Sequence, residues 1–122
     1  MRVRDLQSYW TNKLTYLNML LGNAKVRQGT NEALLTDLRQ RVYLRINRQQ
    51  PNRRTRDWLN AAVNRDDKVI EAIVKVERAK ANVELVQSLI TSAEKIIASA
   101  SREQSWRQIE ISKYYGRQGQ GT

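Results

Sequence analysis

The chain has 122 residues, of which 22 are Lys or Arg and 12 are Asp or Glu, giving a formal net charge of +10. It contains no Cys and no His, which excludes disulfides, thiolate or imidazole metal ligands and nucleophiles that depend on a His base. The basic excess lies in residues 1–57, with 12 basic and 4 acidic residues against 6 of each in residues 58–101, and this asymmetry indicates a polyanionic partner, nucleic acid before membrane.

The first two predicted elements are amphipathic helices. Apolar residues recur every three or four positions over residues 3–27, which is typical of a helix with one buried face. Gly29 predicts the end of this helix, and Thr30 is a candidate cap for the next one. The second helix is predicted over residues 31–48, and the chain's only proline, Pro51, predicts a connector after it.

A short helix, a long helix and a tail are predicted next. Thr55 is expected to cap the short helix, and Asn64 or Asp66 to cap the long one. Alternatively the two helices fuse, because no residue between them forbids helix. The long helix is expected to reach about Arg102 and to be followed by a last helical stretch. Residues 116–122 then form a flexible Gly-rich tail.

The long helix carries ten apolar residues at alternating spacings of three and four. They are Val69, Ala72, Val76, Ala79, Val83, Val86, Ile90, Ala93, Ile97 and Ala100. This heptad pattern is typical of a helix that packs its apolar stripe against other helices. The stretch spans roughly 50 Å, so we expect other chains to supply part of its partner surface. Packing against residues 3–27 of the same chain is the alternative, and both can hold.

The predicted fold is therefore all-α, with helical hairpins and one long heptad-patterned C-terminal helix, assembling through helix packing into a homo-oligomer. The residues predicted to mediate this assembly are Val76, Val83, Val86, Ile90 and Ile97. By charge and pattern, residues 1–57 are predicted to form a basic helical region that faces nucleic acid. Residues 58–115 form a long helical assembly region.

Seven arginines lie within eighteen residues, with no acidic residue between Asp37 and Asp57. They are Arg39, Arg41, Arg45, Arg48, Arg53, Arg54 and Arg56. Arginine binds phosphate through a bidentate fork and stacks on bases, whereas lysine offers a point charge. The alternative interpretation is a solvated helix face with a basic loop, or arginines that pair with Glu residues of another subunit.

Within this run, Arg41, Arg45 and Arg48 are spaced four and three residues apart, which places them along one side of a helix. Tyr43 and Trp58 are candidates for base stacking, the usual device of proteins that bind single strands. The predicted nucleic-acid-binding residues are Arg39, Arg41, Arg45, Arg48, Arg53, Arg54 and Tyr43.

Carboxylates are the only candidate catalytic groups in the chain. Asp66 and Asp67 have the oxygen ligands that Mg²⁺ prefers, but adjacent acids at a helix start more often act as caps. No phosphate-binding loop of the G-x-x-x-x-G-K-[ST] type is present. We therefore predict no catalytic residue, metal site or cofactor, and a protein that is not an enzyme. No segment has the apolar length of a membrane span or a signal peptide, so we expect no membrane association.

The chain starts with Met1-Arg2-Val3-Arg4-Asp5-Leu6-Gln7. This fragment is similar to the M-R-x-x-D-L-Q opening of the UvsY family, the recombination mediators of T-even phages, and two further fragments resemble the same family. The basic segment Leu38-Arg39-Gln40-Arg41-Val42-Tyr43-Leu44 is similar to its L-K-x-R-L segment, which is tied to single-stranded DNA binding. Ser101-Arg102, Trp106-Arg107, Ile109 and Tyr115-Gly116 resemble its S-R-x-x-x-I-K-x-I pattern and terminal Gly. The chain departs from the family at Tyr43-Leu44-Arg45, where the family has a Tyr pair and Gly, and in a shorter middle segment with Pro51.

The resemblance implies a small helical protein that forms a ring-like homo-oligomer and binds single-stranded DNA without sequence preference. It further implies that the protein helps a RecA-like recombinase to displace a single-strand-binding protein, in the cytoplasm of the host if the chain is phage-encoded. By position, Arg39 and Arg41 match the family's two basic DNA-binding residues. The C-terminal helix matches the family's assembly element.

Two other classes of protein fit the same sequence. One is a structural component of a phage virion or another assembly, in which the basic half meets packaged nucleic acid or an acidic protein. The other is a module whose amphipathic helices dock an acidic protein partner. The first predicts salt-insensitive self-association without DNA, and the second predicts little affinity for oligonucleotides at physiological salt.

Overall fold

A computed structural model describes the backbone of residues 3–50 and 52–120 and the side chains of residues 5–50 and 52–115. This part of the chain forms three helices and no strand, which confirms the predicted all-α class. The helices are α1 (Val3–Gln49), α2 (Arg56–Asn64) and α3 (Asp67–Gln120). Within the described residues, no helix has an apolar stretch of the length that crossing a bilayer requires.

Helix α1 is one continuous helix, so the predicted break at Gly29 is wrong. A glycine ends a helix when it adopts a left-handed conformation, and no glycine in the described residues has a positive φ. Buried residues lie on both sides of Gly29, since Ala24 is 5% exposed and Leu35 is 7% exposed. These two residues are separated by three helical turns and share one face. Packing along that face outweighs the cost of glycine inside the helix, about 1 kcal/mol.

The reason for the wrong prediction lies in the buried stripe of α1. Its members follow at spacings of three and four residues and are all buried or half-buried: Leu17, Leu21, Ala24, Gln28, Asn31, Leu35, Leu38 and Val42. Two successive members, Gln28 and Asn31, are polar and flank Gly29. The apolar pattern therefore fades where the helix itself continues.

The predicted start of α2 is confirmed. Thr55 is its N-cap, and the Thr55 side chain accepts a hydrogen bond from the Trp58 backbone N–H at 3.2 Å. Helix α1 ends at Gln49, as the nearby proline predicts, although residue 51 itself lies outside the described residues. Leu59 and Val63 form the buried face of α2.

Asp66 separates α2 from α3, so the two helices do not fuse. Its Oδ1 accepts hydrogen bonds from the backbone N–H groups of Lys68 and Val69, at 3.0 and 3.3 Å. Of the two candidate caps, Asn64 and Asp66, Asp66 is therefore the one that caps the long helix.

Helix α3 uses the predicted apolar stripe and runs further than expected. Of the ten stripe residues, eight are buried, and Ala72 and Ile97 are half-buried. The predicted end near Arg102 is wrong, because the helix continues to Gln120. No proline interrupts this region, and an ion pair of 2.7 Å joins Arg107 and Glu103 one turn apart. The backbone of residues 116–120 is helical where the sequence predicts a flexible tail, and residues 121–122 lie outside the described residues.

The chain divides into two compact units. Unit 2 is Leu21–Leu85, and its core brings together all three helices. The core residues are Leu35 and Val42 of α1, Val63 of α2, and Val69 and Val76 of α3. The late part of α1 meets the early part of α3, so the two helices run antiparallel in this unit.

Unit 1 combines Met1–Leu20 with Val86–Thr122. Leu17 of α1 and Ile90 of α3 are among its buried residues. Near the start of α1, the Gln7 side-chain Nε2 donates a hydrogen bond to Ser101 Oγ at 2.9 Å. The predicted division at residue 57 follows charge and function rather than contact, and it stays a prediction.

Candidate nucleic-acid interface

The predicted arginine stripe lies on one flank of α1 in unit 2. Arg41, Arg45 and Arg48 are exposed, and together with Leu44 and Gln49 they line a surface depression. The spacing of four and three residues brings the three guanidinium groups to the same side of the helix. We call this feature the Arg48 depression. It offers three planar forks that fit phosphate oxygens.

Two of these arginines already hold carboxylates of the same chain. Arg45 Nη2 lies 2.7 Å from Asp66 Oδ2, and Arg41 Nη2 lies 2.9 Å from Asp37 Oδ2. The Arg41–Asp37 pair is well exposed, and such pairs contribute about 0.2–1 kcal/mol. An incoming phosphate would therefore compete with carboxylates that the chain itself supplies.

Asp66 links the arginine stripe to the start of α3. The hydrogen bond from Arg45 is the largest effect on this carboxyl group and lowers the pKa of Asp66. Desolvation acts in the opposite direction, and the backbone N–H groups of Val69 and Lys68 lower the pKa further. One carboxylate thus caps a helix through Oδ1 and orients an arginine through Oδ2.

Arg39 and Tyr43 lie away from the arginine stripe. Residues two positions apart on a helix point in directions that differ by about 200°, so Arg39 and Arg41 project to different sides of α1. Arg39 is exposed, whereas Tyr43 is half-buried and packs against the core of unit 2. The structure therefore does not bring together the two arginines that the family resemblance singles out. The predicted stacking role of Tyr43 stays a prediction, with part of its ring already in contact with the core.

The connector between α1 and α2 carries three more exposed arginines, Arg53, Arg54 and Arg56. The Arg54 guanidinium carbon lies 4.8 Å from the centroid of the Trp58 ring, a cation–π contact. Trp58 is 38% exposed. Arg54 and Trp58 thus form one surface element in which a guanidinium group and an aromatic ring are neighbours.

A second group of cations was missed by sequence reasoning. Arg27 of α1 and Lys75 and Arg78 of α3 line one depression together with two amides and an alanine. The complete lining is Arg27, Asn31, Lys75, Arg78, Ala79 and Asn82. We call it the Arg27 depression. The sequence contains one signal of this group, a seven-residue spacing that joins Arg27, Leu34, Arg41 and Arg48. The signal was lost because a helix that breaks at Gly29 does not keep Arg27 in register with the other three.

The two depressions are connected through a third. This central depression shares Asn31 and Lys75 with the Arg27 depression and shares Arg41 with the Arg48 depression. Its charged lining is mixed, and an ion pair of 3.8 Å joins Lys75 to Glu71. Basic side chains therefore recur along this surface of unit 2, with Asp37 and Glu71 between them.

The residues predicted to mediate assembly have little exposed surface. Val76, Val83, Val86 and Ile90 are between 4% and 8% exposed, and Ile97 is half-buried. Their role in oligomerisation stays a prediction. Since the chain itself already covers these side chains, most of the apolar area available to a second copy lies elsewhere.

Five large apolar or aromatic side chains are exposed near the end of the described region. Between residues 101 and 115 every side chain is exposed except Gln104, which is half-buried. Trp106 is 65% exposed and Ile109 is 46% exposed, and both line one depression on this helix. Among the described residues, no group of three or more acidic side chains is arranged to hold a metal ion.

No family model, curated protein or solved structure matches this chain. The resemblance to the UvsY family therefore depends on the three sequence fragments alone.

Proposed function

We propose that this chain is a non-enzymatic single-stranded DNA-binding protein that works as a homo-oligomeric recombination mediator. The observation that carries the proposal is the exposed flank of Arg41, Arg45 and Arg48 on α1, in a chain with a net charge of +10. Three forks on one rigid helix favour the regular negative charge of a nucleic-acid backbone over a single anion.

Binding is electrostatic in this proposal. Each phosphate that an arginine neutralises releases condensed counterions, which gives a salt slope of about −0.7 per contact on a single strand. Arg41 and Arg45 must exchange the carboxylates of Asp37 and Asp66 for phosphates during binding. Because the Arg41–Asp37 pair is exposed and weak, the exchange at Arg41 costs little.

Exposed aromatic surface supports a preference for single strands. Trp58 lies beside Arg54 at the connector, so a base and a phosphate can be contacted at neighbouring positions. Stacking on aromatic rings requires bases that are not paired in a duplex. This contact would distinguish single-stranded DNA from duplex DNA, which offers only its backbone to the arginines.

Assembly is proposed to use the exposed end of α3. Gln7 lies beside Ser101, and α1 begins four residues before Gln7, so the later part of α3 has no partner helix among the described residues. A lone helix of this length is marginal in water, and a second copy that covers Trp106 and Ile109 would stabilise it. Several copies on one strand would raise the effective concentration of each arginine stripe.

The family resemblance supplies the remaining part of the proposal. It assigns a RecA-like recombinase and a single-strand-binding protein as partners, and the mediator would help the first displace the second. The basic surface supports contact with the DNA that these proteins share. A structural assembly component is the second candidate, since exposed apolar side chains at 106–115 also fit self-association without DNA.

The test is fluorescence anisotropy of a labelled single-stranded oligonucleotide, titrated from low to physiological salt with unlabelled duplex as competitor. We expect tight binding that weakens with salt and resists duplex competition. Light scattering on the same samples should show an oligomer. No binding at physiological salt, together with large DNA-free assemblies that persist in high salt, would instead support the structural component.

A further inference from the structure

The Arg27 depression lies outside the arginine run that the sequence singles out. We propose that it is a second binding site for the phosphodiester backbone of the same DNA strand, so this inference rests on the proposed function. Its three cations come from two helices, Arg27 from α1 and Lys75 and Arg78 from α3. None of its lining residues is acidic.

The cations of this depression are largely available to a ligand. Among the residues that the structure describes, Arg27 and Arg78 form no ion pair, and Lys75 has only the long contact of 3.8 Å to Glu71. This differs from Arg41 and Arg45, which both hold close carboxylates. A phosphate at Arg27 and Arg78 would therefore displace no carboxylate of the chain.

Two amide side chains complete the lining of the depression. Asn31 is half-buried in the stripe of α1, and in the described part of the chain its side chain makes no hydrogen bond, so its amide stays accessible to a ligand. The amide NH₂ can donate to a phosphate oxygen. Asn82 offers a second amide on the opposite helix.

Continuity with the arginine stripe identifies the ligand class. The Arg27 depression shares Asn31 and Lys75 with the central depression, which shares Arg41 with the Arg48 depression. Arg27 and Arg48 are 21 residues apart on one helix, about 32 Å at 1.5 Å per residue. A single strand bound at Arg48 can follow this surface to Arg27, whereas a free phosphate would gain nothing from the connection.

The chain offers a matched control for this site. Lys25 lies two residues from Arg27, and Lys80 lies two residues from Arg78, so each control side chain points about 200° away from its counterpart. Both control lysines are exposed. Arg27→Gln/Arg78→Gln and Lys25→Gln/Lys80→Gln therefore remove the same charge from different surfaces.

The experiment measures the salt dependence of oligothymidylate binding for the wild type, both double variants and Arg41→Ala/Arg45→Ala/Arg48→Ala. We expect Arg27→Gln/Arg78→Gln to reduce the magnitude of the salt slope by about 1.4, two contacts at about 0.7 each, and the lysine variant to leave it unchanged. Circular dichroism of each variant checks that the helices are retained.

Each outcome separates this inference from the proposed function. The two double variants could have equal salt slopes while binding still depends on Arg41, Arg45 and Arg48. That result would overturn the second site and leave the proposed function standing. A wild-type chain that does not bind the oligonucleotide would overturn both. Polyglutamate is the remaining probe. If it displaces the DNA from the wild type and loses this ability in Arg27→Gln/Arg78→Gln alone, with DNA affinity unchanged, the depression takes an acidic protein instead.

Discussion

Units 1 and 2 are built from the same two long helices but expose different chemistry. Unit 2 carries ten of the chain's fifteen arginines, whereas unit 1 carries six of its eight tyrosines and tryptophans. In unit 2 the exposed flank of α1 is basic, and in unit 1 the exposed end of α3 carries apolar and aromatic side chains. Both units bury part of the apolar stripe of α3, so this stripe explains the fold while the outer faces carry the difference.

Buried residues and residues available to other molecules are separated around each helix. The stripe residues of α3 pack within the chain, and the residues on the outer faces stay exposed. Mutations on the two outer faces should therefore have separable effects.

Loss of assembly is the largest expected effect. Trp106→Ala/Ile109→Ala removes two exposed apolar side chains from one face of α3, so we expect smaller species by light scattering. Apparent DNA affinity should fall by about a hundredfold, because multivalent gains commonly reach 10²–10⁴.

A control for this variant is available in unit 2. Val26 and Leu44 are 70% and 52% exposed, and Val26→Ala/Leu44→Ala removes apolar surface there instead. This control should keep the wild-type mass. If only the unit 2 variant changes in mass, the assembly surface lies in unit 2, and the proposed surface at the end of α3 is wrong.

Loss of the arginine stripe is the next largest effect. Arg41→Ala/Arg45→Ala/Arg48→Ala should reduce the magnitude of the salt slope by at most about 2, three contacts at about 0.7 each, and by less where Asp37 and Asp66 take up cations on binding. The oligomer should be unchanged, because these residues lie in unit 2. Anisotropy and light scattering on one preparation measure both quantities. If this variant forms smaller species while its salt slope stays unchanged, unit 2 carries the assembly surface rather than the DNA-binding surface.

Asp66 connects stability to the arginine stripe. Asp66→Ala removes the cap of α3 and should lower the free energy of unfolding by about 1 kcal/mol. Asp66→Asn retains a good capping residue while it neutralises the partner of Arg45, so it should lose less stability and bind DNA more tightly than the wild type. Urea unfolding and anisotropy separate the two effects. Equal DNA affinity in Asp66→Asn and the wild type would show that the pair does not restrain Arg45.

The contribution of Asp66 to the free energy of unfolding depends on pH, because its carboxyl group titrates. Arg45 holds the pKa of Asp66 below its usual value, which is about 3.9. A carboxyl group with a lowered pKa in the folded state stabilises the protein above the unfolded pKa, and the contribution is lost as pH falls through the lowered folded value. The free energies of unfolding of Asp66→Asn and the wild type, measured with urea, should therefore differ at neutral pH. The difference should begin to shrink below about pH 3.9 and vanish only below the lowered pKa of the folded state.

The smallest predicted effect tests the continuity of α1. Gly29 is helical, and a Cβ built there would meet nothing within 4 Å. Gly29→Ala should therefore raise the free energy of unfolding by about 1 kcal/mol, through helix propensity and a less flexible unfolded state. A helix that ended at Gly29 with a left-handed residue would be destabilised by the same change. DNA binding and oligomer mass should not move, which makes this variant a neutral reference for the two outer faces.

Local patterns predicted most of the fold. The all-α class, the Thr55 and Asp66 caps and the buried stripe of α3 follow from periodicity and capping chemistry within a few residues. Local patterns did not predict the continuity of α1, because Gln28 and Asn31 weaken the apolar pattern around Gly29. Packing between distant parts of the chain decides that segment, and no local signal reports it.

The candidate site shows the same division between local and distant information. The stripe of Arg41, Arg45 and Arg48 follows from helical spacing alone. The Arg45–Asp66 ion pair joins residues 21 positions apart, and the Arg27 depression combines two helices. Neither can be found before the register between α1 and α3 is known.

The carboxylates of Asp37 and Asp66 affect how many phosphate contacts a salt titration reports. When a phosphate takes an arginine from one of them, the released carboxylate attracts a cation from solution. That uptake offsets part of the cation release from the DNA, so the salt titration undercounts the phosphates in contact. Arg27 and Arg78 carry no such internal counterion and should be counted in full. Neutralising both carboxylates would steepen the slope without adding a single new contact to the DNA.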